Sequence, residues 1–127
     1  MKKIIIGLML ALGLVQADMY SCALLEKEYI DTEAIQIFDG KTRMDFYFSK
    51  NVARMYVDDY VFTYYYYKDM KTKTGKHTVA YLSKNQTNVI IVAKDIDSLD
   101  KNRIAIVTNA SEDGQDITYH FGDCRKK

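Results

Sequence analysis

An all-β domain of about eight short antiparallel strands is the fold class this sequence predicts, as a small meander closing into a barrel or, alternatively, as a two-sheet sandwich. Three observations predict it. Short runs rich in β-branched and aromatic side chains recur from residue 34 to residue 121, separated by clusters of Asp, Asn, Ser and Gly. The chain contains no proline, so its bends fall to 6 glycines and the polar turn residues. Two cysteines, Cys22 and Cys124, stand at either end of this region. Closure into a barrel also removes the sheet edges that a proline-free, tyrosine-rich chain would otherwise have to protect.

The chain begins MKKIIIGLMLALGLVQA, in which Lys2 and Lys3 precede an apolar run from Ile4 to Val15 and a small-residue site at Val15-Gln16-Ala17. That is the layout of a secretory signal peptide. The apolar run is shorter than the roughly 20 residues that cross a bilayer as a helix, which weighs against a retained membrane anchor. Met19, Tyr20 and Ser21 ahead of Cys22 suit lipoprotein processing poorly. The expected unit is therefore one domain over residues 18–127, periplasmic or secreted, without stable membrane insertion. Export places both cysteines where thiols oxidise, which predicts a Cys22–Cys124 disulfide. No Cys-x-x-Cys redox pair is present. Removing Lys2 and Lys3 from the 18 basic side chains leaves sixteen against 17 acidic ones. A near-neutral domain lacks the basic excess of a nucleic-acid binder or a polybasic membrane-surface protein.

Taken in order, residues 22–30 (CALLEKEYI) fit neither the helical nor the strand period, so strand and short helix both stay open. Residues 34–48 carry Asp39-Gly40 between alternating apolar residues, which predicts a hairpin with Phe38 opposite Lys41 and with Ile35, Ile37, Met44, Phe46 and Phe48 on one face. Ser49 to Asn51 read as a turn and Val52 to Val57 as a strand. Asp58-Asp59 then form a tight turn into Tyr60 to Tyr67, with Val57 opposite Tyr60, Met55 opposite Phe62 and Ala53 opposite Tyr64. A polar loop, residues 68–77, precedes strands at 77–82, 88–94, 103–109 and 116–121.

The stretch YVFTYYYYK, residues 60–68, places five tyrosines in one strand. Tyr60, Phe62, Tyr64 and Tyr66 share one face and Val61, Thr63, Tyr65 and Tyr67 the other. The first set is the expected core face. The second, with Arg54 and Tyr56 across the hairpin, forms either an ordinary half-buried aromatic ladder or an outward patch for a protein or glycan. Lys71 and Lys73 in the lysine-bearing loop are candidates for an anionic contact, although a solvated loop is the favoured reading of the segment.

Signals for chemistry are sparse. His77 and His120 sit at strand positions among polar residues, and no nucleophile elbow, zinc-binding helix or phosphate loop is found. Asp95, Asp97 and Asp100 fall close together, but an EF-hand would need glycine where Asp100 stands and glutamate where Ile106 stands. No enzyme activity, cofactor or metal is expected.

Tyr20-Ser21-Cys22, the matching Cys124, the export signal and the small all-β body together resemble the membrane-bound or periplasmic C-type lysozyme inhibitors. That resemblance implies an eight-stranded antiparallel barrel that inserts a loop into the lysozyme cleft. It covers the two ends of the chain; the family's Ser-Gly-x-x-Tyr type of segment has no counterpart, so no inhibitory residue is carried over. The expected function is that of an exported, non-enzymatic binding module. The alternative is a carrier that holds a small apolar ligand in its barrel, which requires a cavity.

Overall fold

Of the segment 22–30, residues 22–29 are extended and Ile30 begins a turn. In the computed structural model, which describes residues 18–127, residues 22–29 lie within a long first strand, β1 (Asp18–Tyr29). Its pairing with the last strand shifts register between Ser21 and Ala23 and again between Leu24 and Glu26. The second of these adds a residue, Leu25, to β1 and so resets which face the following side chains take, which is why no single period fits the segment. The remaining strands are β2 (Ala34–Ile37), β3 (Arg43–Phe48), β4 (Val52–Val57), β5 (Tyr60–Lys71), β6 (His77–Leu82), β7 (Val89–Ala93), β8 (Ile104–Glu112) and β9 (Gln115–Lys126), with one 3₁₀ turn at Ile96–Ser98. The signal-peptide reading falls on residues 1–17, outside the described residues.

Eight strands form a closed antiparallel barrel in the order β1-β3-β4-β5-β6-β7-β8-β9, with β9 returning to β1. The β4–β5 hairpin has the expected register, Val57 opposite Tyr60, Met55 opposite Phe62 and Ala53 opposite Tyr64. Asp58 makes the tight turn by taking a φ of 53°, in the left-handed region that Asp tolerates better than most side chains. Asp113 and Gly114, with φ of 50° and 78°, turn β8 into β9 in the same way. Strand β5 runs past the expected end at Tyr67, so Lys68 and Lys71 lie on it and only residues 72–76 form the connection to β6.

The hairpin expected at Asp39-Gly40 does not form. Residues 30–33 turn the chain instead, and β2 and β3 both pair with β1 along one edge, Glu26 opposite Ile37 and Ala23 opposite Arg43. Residues 39–41 are a break in what is otherwise a single neighbour of β1. Pairing holds on both sides of it, Phe38 N–H donating to Leu25 O at 2.9 Å and Leu24 N–H to Thr42 O at 2.8 Å. The Asp39 carboxylate accepts the Lys41 N–H at 2.9 Å, an Asx turn that re-aims the strand. Because of this break Met44, Phe46 and Phe48 reach the core while Ile35 and Ile37 stay exposed.

The first and last strands meet at a seam. Cys22 on β1 and Cys124 on β9 form a disulfide across it, 102 residues apart in sequence. From β3, Arg43 reaches across β1 to the same place: its Nε donates to Ser21 Oγ at 2.9 Å, and its two terminal nitrogens donate to Asp123 Oδ2 at 3.1 Å and to the Ser21 and Asp123 carbonyls at 2.6 Å. Three strands are thus held at one point.

Aromatic rings fill one half of the barrel. Phe46 meets Phe121 edge to face at 5.0 Å and Phe48 at 6.1 Å, and Phe48 meets Tyr81 at 6.0 Å and Tyr20 at 6.2 Å. The loop after β7 closes that end. Ile96 is buried and Leu99 packs against the core, while the Tyr20 hydroxyl donates to Asp97 at 2.7 Å. Burial, helped by the Asp97 carboxylate, raises the Tyr20 phenol above its ordinary value, so this donor keeps its proton.

Candidate functional site

The opposite end of the barrel is open. There the rings give way to methionines and small residues, and a cavity of about 370 Å³ remains between Leu24, Met44, Met55, Val57, Tyr64 and Phe121. The volume lies at the lower end of the roughly 300–1,000 Å³ of small-molecule sites. Met44 and Met55 are flexible and polarizable, suited to a ligand of irregular shape. Phe62 also lines the space although 46% exposed, and the Tyr60 ring stands 6.4 Å from it, so the lip of the cavity is aromatic.

Polar groups come from Asn88 just before β7, from β8 and from the Tyr64 phenol. Asn88 and Asn109 are engaged with the backbone, Asn88 Nδ2 donating to Asn109 O at 3.2 Å and Asn109 Oδ1 accepting from Val89 N–H at 2.7 Å. The buried Thr108 hydroxyl has no partner of hydrogen-bond geometry among the described residues. Tyr64 lines the cavity, and burial raises its phenol above the ordinary value, so it keeps its proton. Among the described residues, no Asp, Glu, Lys, Arg or His lines the cavity.

One wall of the mouth rises higher than the other. β1, β8 and β9 continue past the short strands β3 and β4, and register places Lys27 opposite Tyr119, Tyr119 opposite Thr108 and Tyr29 opposite Ile117. Directly paired antiparallel residues share a face, and Tyr119 and Thr108 line the cavity, so Lys27 and Tyr29 belong to the inner face of this wall. The Lys27 ammonium stands 5.2 Å from the centre of the Tyr29 ring, 5.6 Å from that of Tyr119 and 3.4 Å from Glu112 Oε1. The bulge between Leu24 and Glu26 is responsible, because strict alternation from Leu24 would have placed Glu26 and Glu28 here. That offset was not visible in the sequence, and Lys27 carried no signal there.

The residues singled out in the sequence scatter over the outside. Arg54 and Tyr56 are half-buried on one outer face, and the Arg54 guanidinium lies 5.0 Å over the Tyr47 ring. Tyr65 sits opposite Val52 and is therefore a diagonal neighbour of Arg54. At 48% exposed it contrasts with Tyr64 at 3%. Tyr67 is 54% exposed and occupies a bulge between Tyr66 and Lys68. Lys71, opposite His77, and Lys73, in the following turn, lie at the plugged end of the barrel, away from the Arg54 face. Of the expected core face, Tyr64 alone is buried; Tyr60 and Phe62 stand at the lip and Tyr66 bonds Asp69 at 3.1 Å. His120 Nδ1 lies 3.0 Å from Glu26 on the outer side of the wall. The loop aspartates point to separate cations, Asp95 to Lys76 at 3.9 Å and Asp97 to Lys126 at 3.8 Å.

The fold and site define a closed eight-stranded antiparallel barrel, plugged at one end and open to an apolar cavity at the other. No family model, curated protein or solved structure matches the chain.

Proposed function

We propose that this protein is an exported, non-enzymatic binding protein whose site is the open mouth of its barrel and whose ligand is a small apolar molecule. The observation that carries the reading is the half-open cavity itself, apolar on its walls, aromatic at its lip and without an acid–base pair in its lining. The signal-type sequence of residues 1–17 and the disulfide support export. The test is calorimetric titration with decanol, a neutral single-chain probe, against the protein and its Ala110→Phe variant. Ala110 lines the cavity and is half-buried, so a phenyl ring there fills the space without removing a core residue. Binding in the tens of micromolar or tighter, weakened about tenfold or more by Ala110→Phe, is the expected result. Absence of decanol binding would sink the proposal.

A second reading keeps the outer face as a contact for a protein or glycan, with a C-type lysozyme as one partner to test. It is favoured by the succession of half-exposed rings at Tyr65, Tyr66 and Tyr67. Inhibition of a C-type lysozyme by the protein, abolished in a Tyr65→Ala/Tyr67→Ala variant of unchanged fold, would move the function to that face.

A further inference from the structure

Lys27 stands beside the cavity without belonging to its lining. Its side chain is only 17% exposed, and it lies on the inner face of the raised wall, opposite a tyrosine that does line the cavity. An ammonium has three donors. Here the contact with Glu112 is long, at 3.4 Å, and Glu112 itself is 43% exposed at the hairpin tip opposite Gln115. The two tyrosine rings flank the ammonium as cation–π partners. The Tyr29 hydroxyl and Glu112, working against the cost of burial, hold its pKa above the ordinary lysine value, so the cation persists through neutral pH.

Resting on the proposal that the mouth is a ligand site, we infer that the ligand is a single-chain carboxylic acid, its tail seated among Leu24, Met44, Met55 and Phe62 and its carboxylate held by Lys27 in place of Glu112. The wall supplies one cation above an apolar cavity whose own lining is uncharged, and that juxtaposition complements an amphiphile with one negative end. A neutral amphiphile would leave the Lys27–Glu112 pair untouched and gain nothing from it. A cationic one would have to bring its charge beside Lys27 to reach Glu112. A carboxylate exchanges one exposed anion for another, so Lys27 remains paired in both states and no buried charge is stranded.

Decanoate and decanol share one chain and differ at the head, so their affinity ratio isolates the head group. At low ionic strength, with both ligands below their aggregation limits, decanoate is expected to bind about tenfold more tightly than decanol, the worth of one charge-assisted hydrogen bond. Lys27→Gln should collapse that ratio towards one. Glu112→Gln, which removes the competing carboxylate, should widen it, and this second variant keeps the inference testable even if Lys27→Gln does not fold. Equal affinity for the two ligands, or a ratio that neither variant moves, would overturn the carboxylate assignment while leaving the mouth as a site for apolar chains. Failure of both ligands to bind would overturn the site and this inference with it.

Discussion

Arg43 is the side chain on which three strands depend at once. It rises from β3, passes β1 at Ser21 and ends on Asp123, whose backbone lies in the left-handed region at a φ of 47°. A bidentate, planar donor matches this arrangement, which lysine could not reproduce. Because the partners are only partly exposed, Arg43→Ala leaves the Ser21 and Asp123 carbonyls without this donor and the Asp123 carboxylate with Arg125 alone. The expected loss is about 2 kcal/mol, read as a lower urea midpoint with little change in slope. Asp123 adds a pH dependence. Burial pushes its carboxyl up, but Arg43 and Arg125 outweigh this and hold it below the ordinary carboxylate range. The unfolded chain therefore takes up this proton at a higher pH than the folded one. Its contribution is complete above the ordinary carboxylate pKa of about 3.9 and fades as pH falls through the depressed value. In Arg43→Ala that part of the acid sensitivity should shrink, measurable as a flatter dependence of the midpoint between neutral and acid pH.

At the scale of the element, β9 shows how little room the seam leaves. Gly122 faces Ala23 on β1 and Ile104 on β8, and a Cβ there would run into the Arg103 carbonyl oxygen and come within 2.6 Å of Leu25 Cδ1. Leu25 could turn aside, whereas a backbone oxygen cannot without displacing β8. Gly122→Ala is expected to cost about 2–3 kcal/mol, as overpacking does, with a thermal midpoint to match. Local pairing was legible where turn and hydrophobic face agree, as in β4–β5, whose register could be read residue by residue. The sequence misleads at Asp39-Gly40, where a strong turn dipeptide competes with β1 as a partner. β1 prevails because it pairs with both β2 and β3, and its own alternation is hidden by the bulge at Leu25. The same bulge concealed the position of Lys27. The aromatic stretch in β5 identified Tyr64 as core and Tyr65 and Tyr67 as outward, but not that Tyr60 and Phe62 end at an open mouth, which depends on the lengths of strands far away in sequence.

For the whole molecule, closure rests on the pairing of β1 with β9, and the disulfide lies in that pairing. In the chain-entropy model a loop of this size stabilises by up to about 4.7 kcal/mol, and loss of a native bridge from a small domain costs about 2–5 kcal/mol. The Cys22→Ser/Cys124→Ser variant should lose stability in that range by urea titration; an unchanged midpoint would show that strand pairing and Arg43 suffice to close the barrel. The plugged end and the open end make different demands, one packed with interlocking rings and the other lined with side chains that adapt. Ring closure also has a temporal side. The last strand in the chain is the partner of the first, and without β9 both β1 and β8 would present an unpaired edge. Contacts so distant in sequence form slowly, and the sulfur–sulfur bond ties together the two strands whose meeting closes the ring.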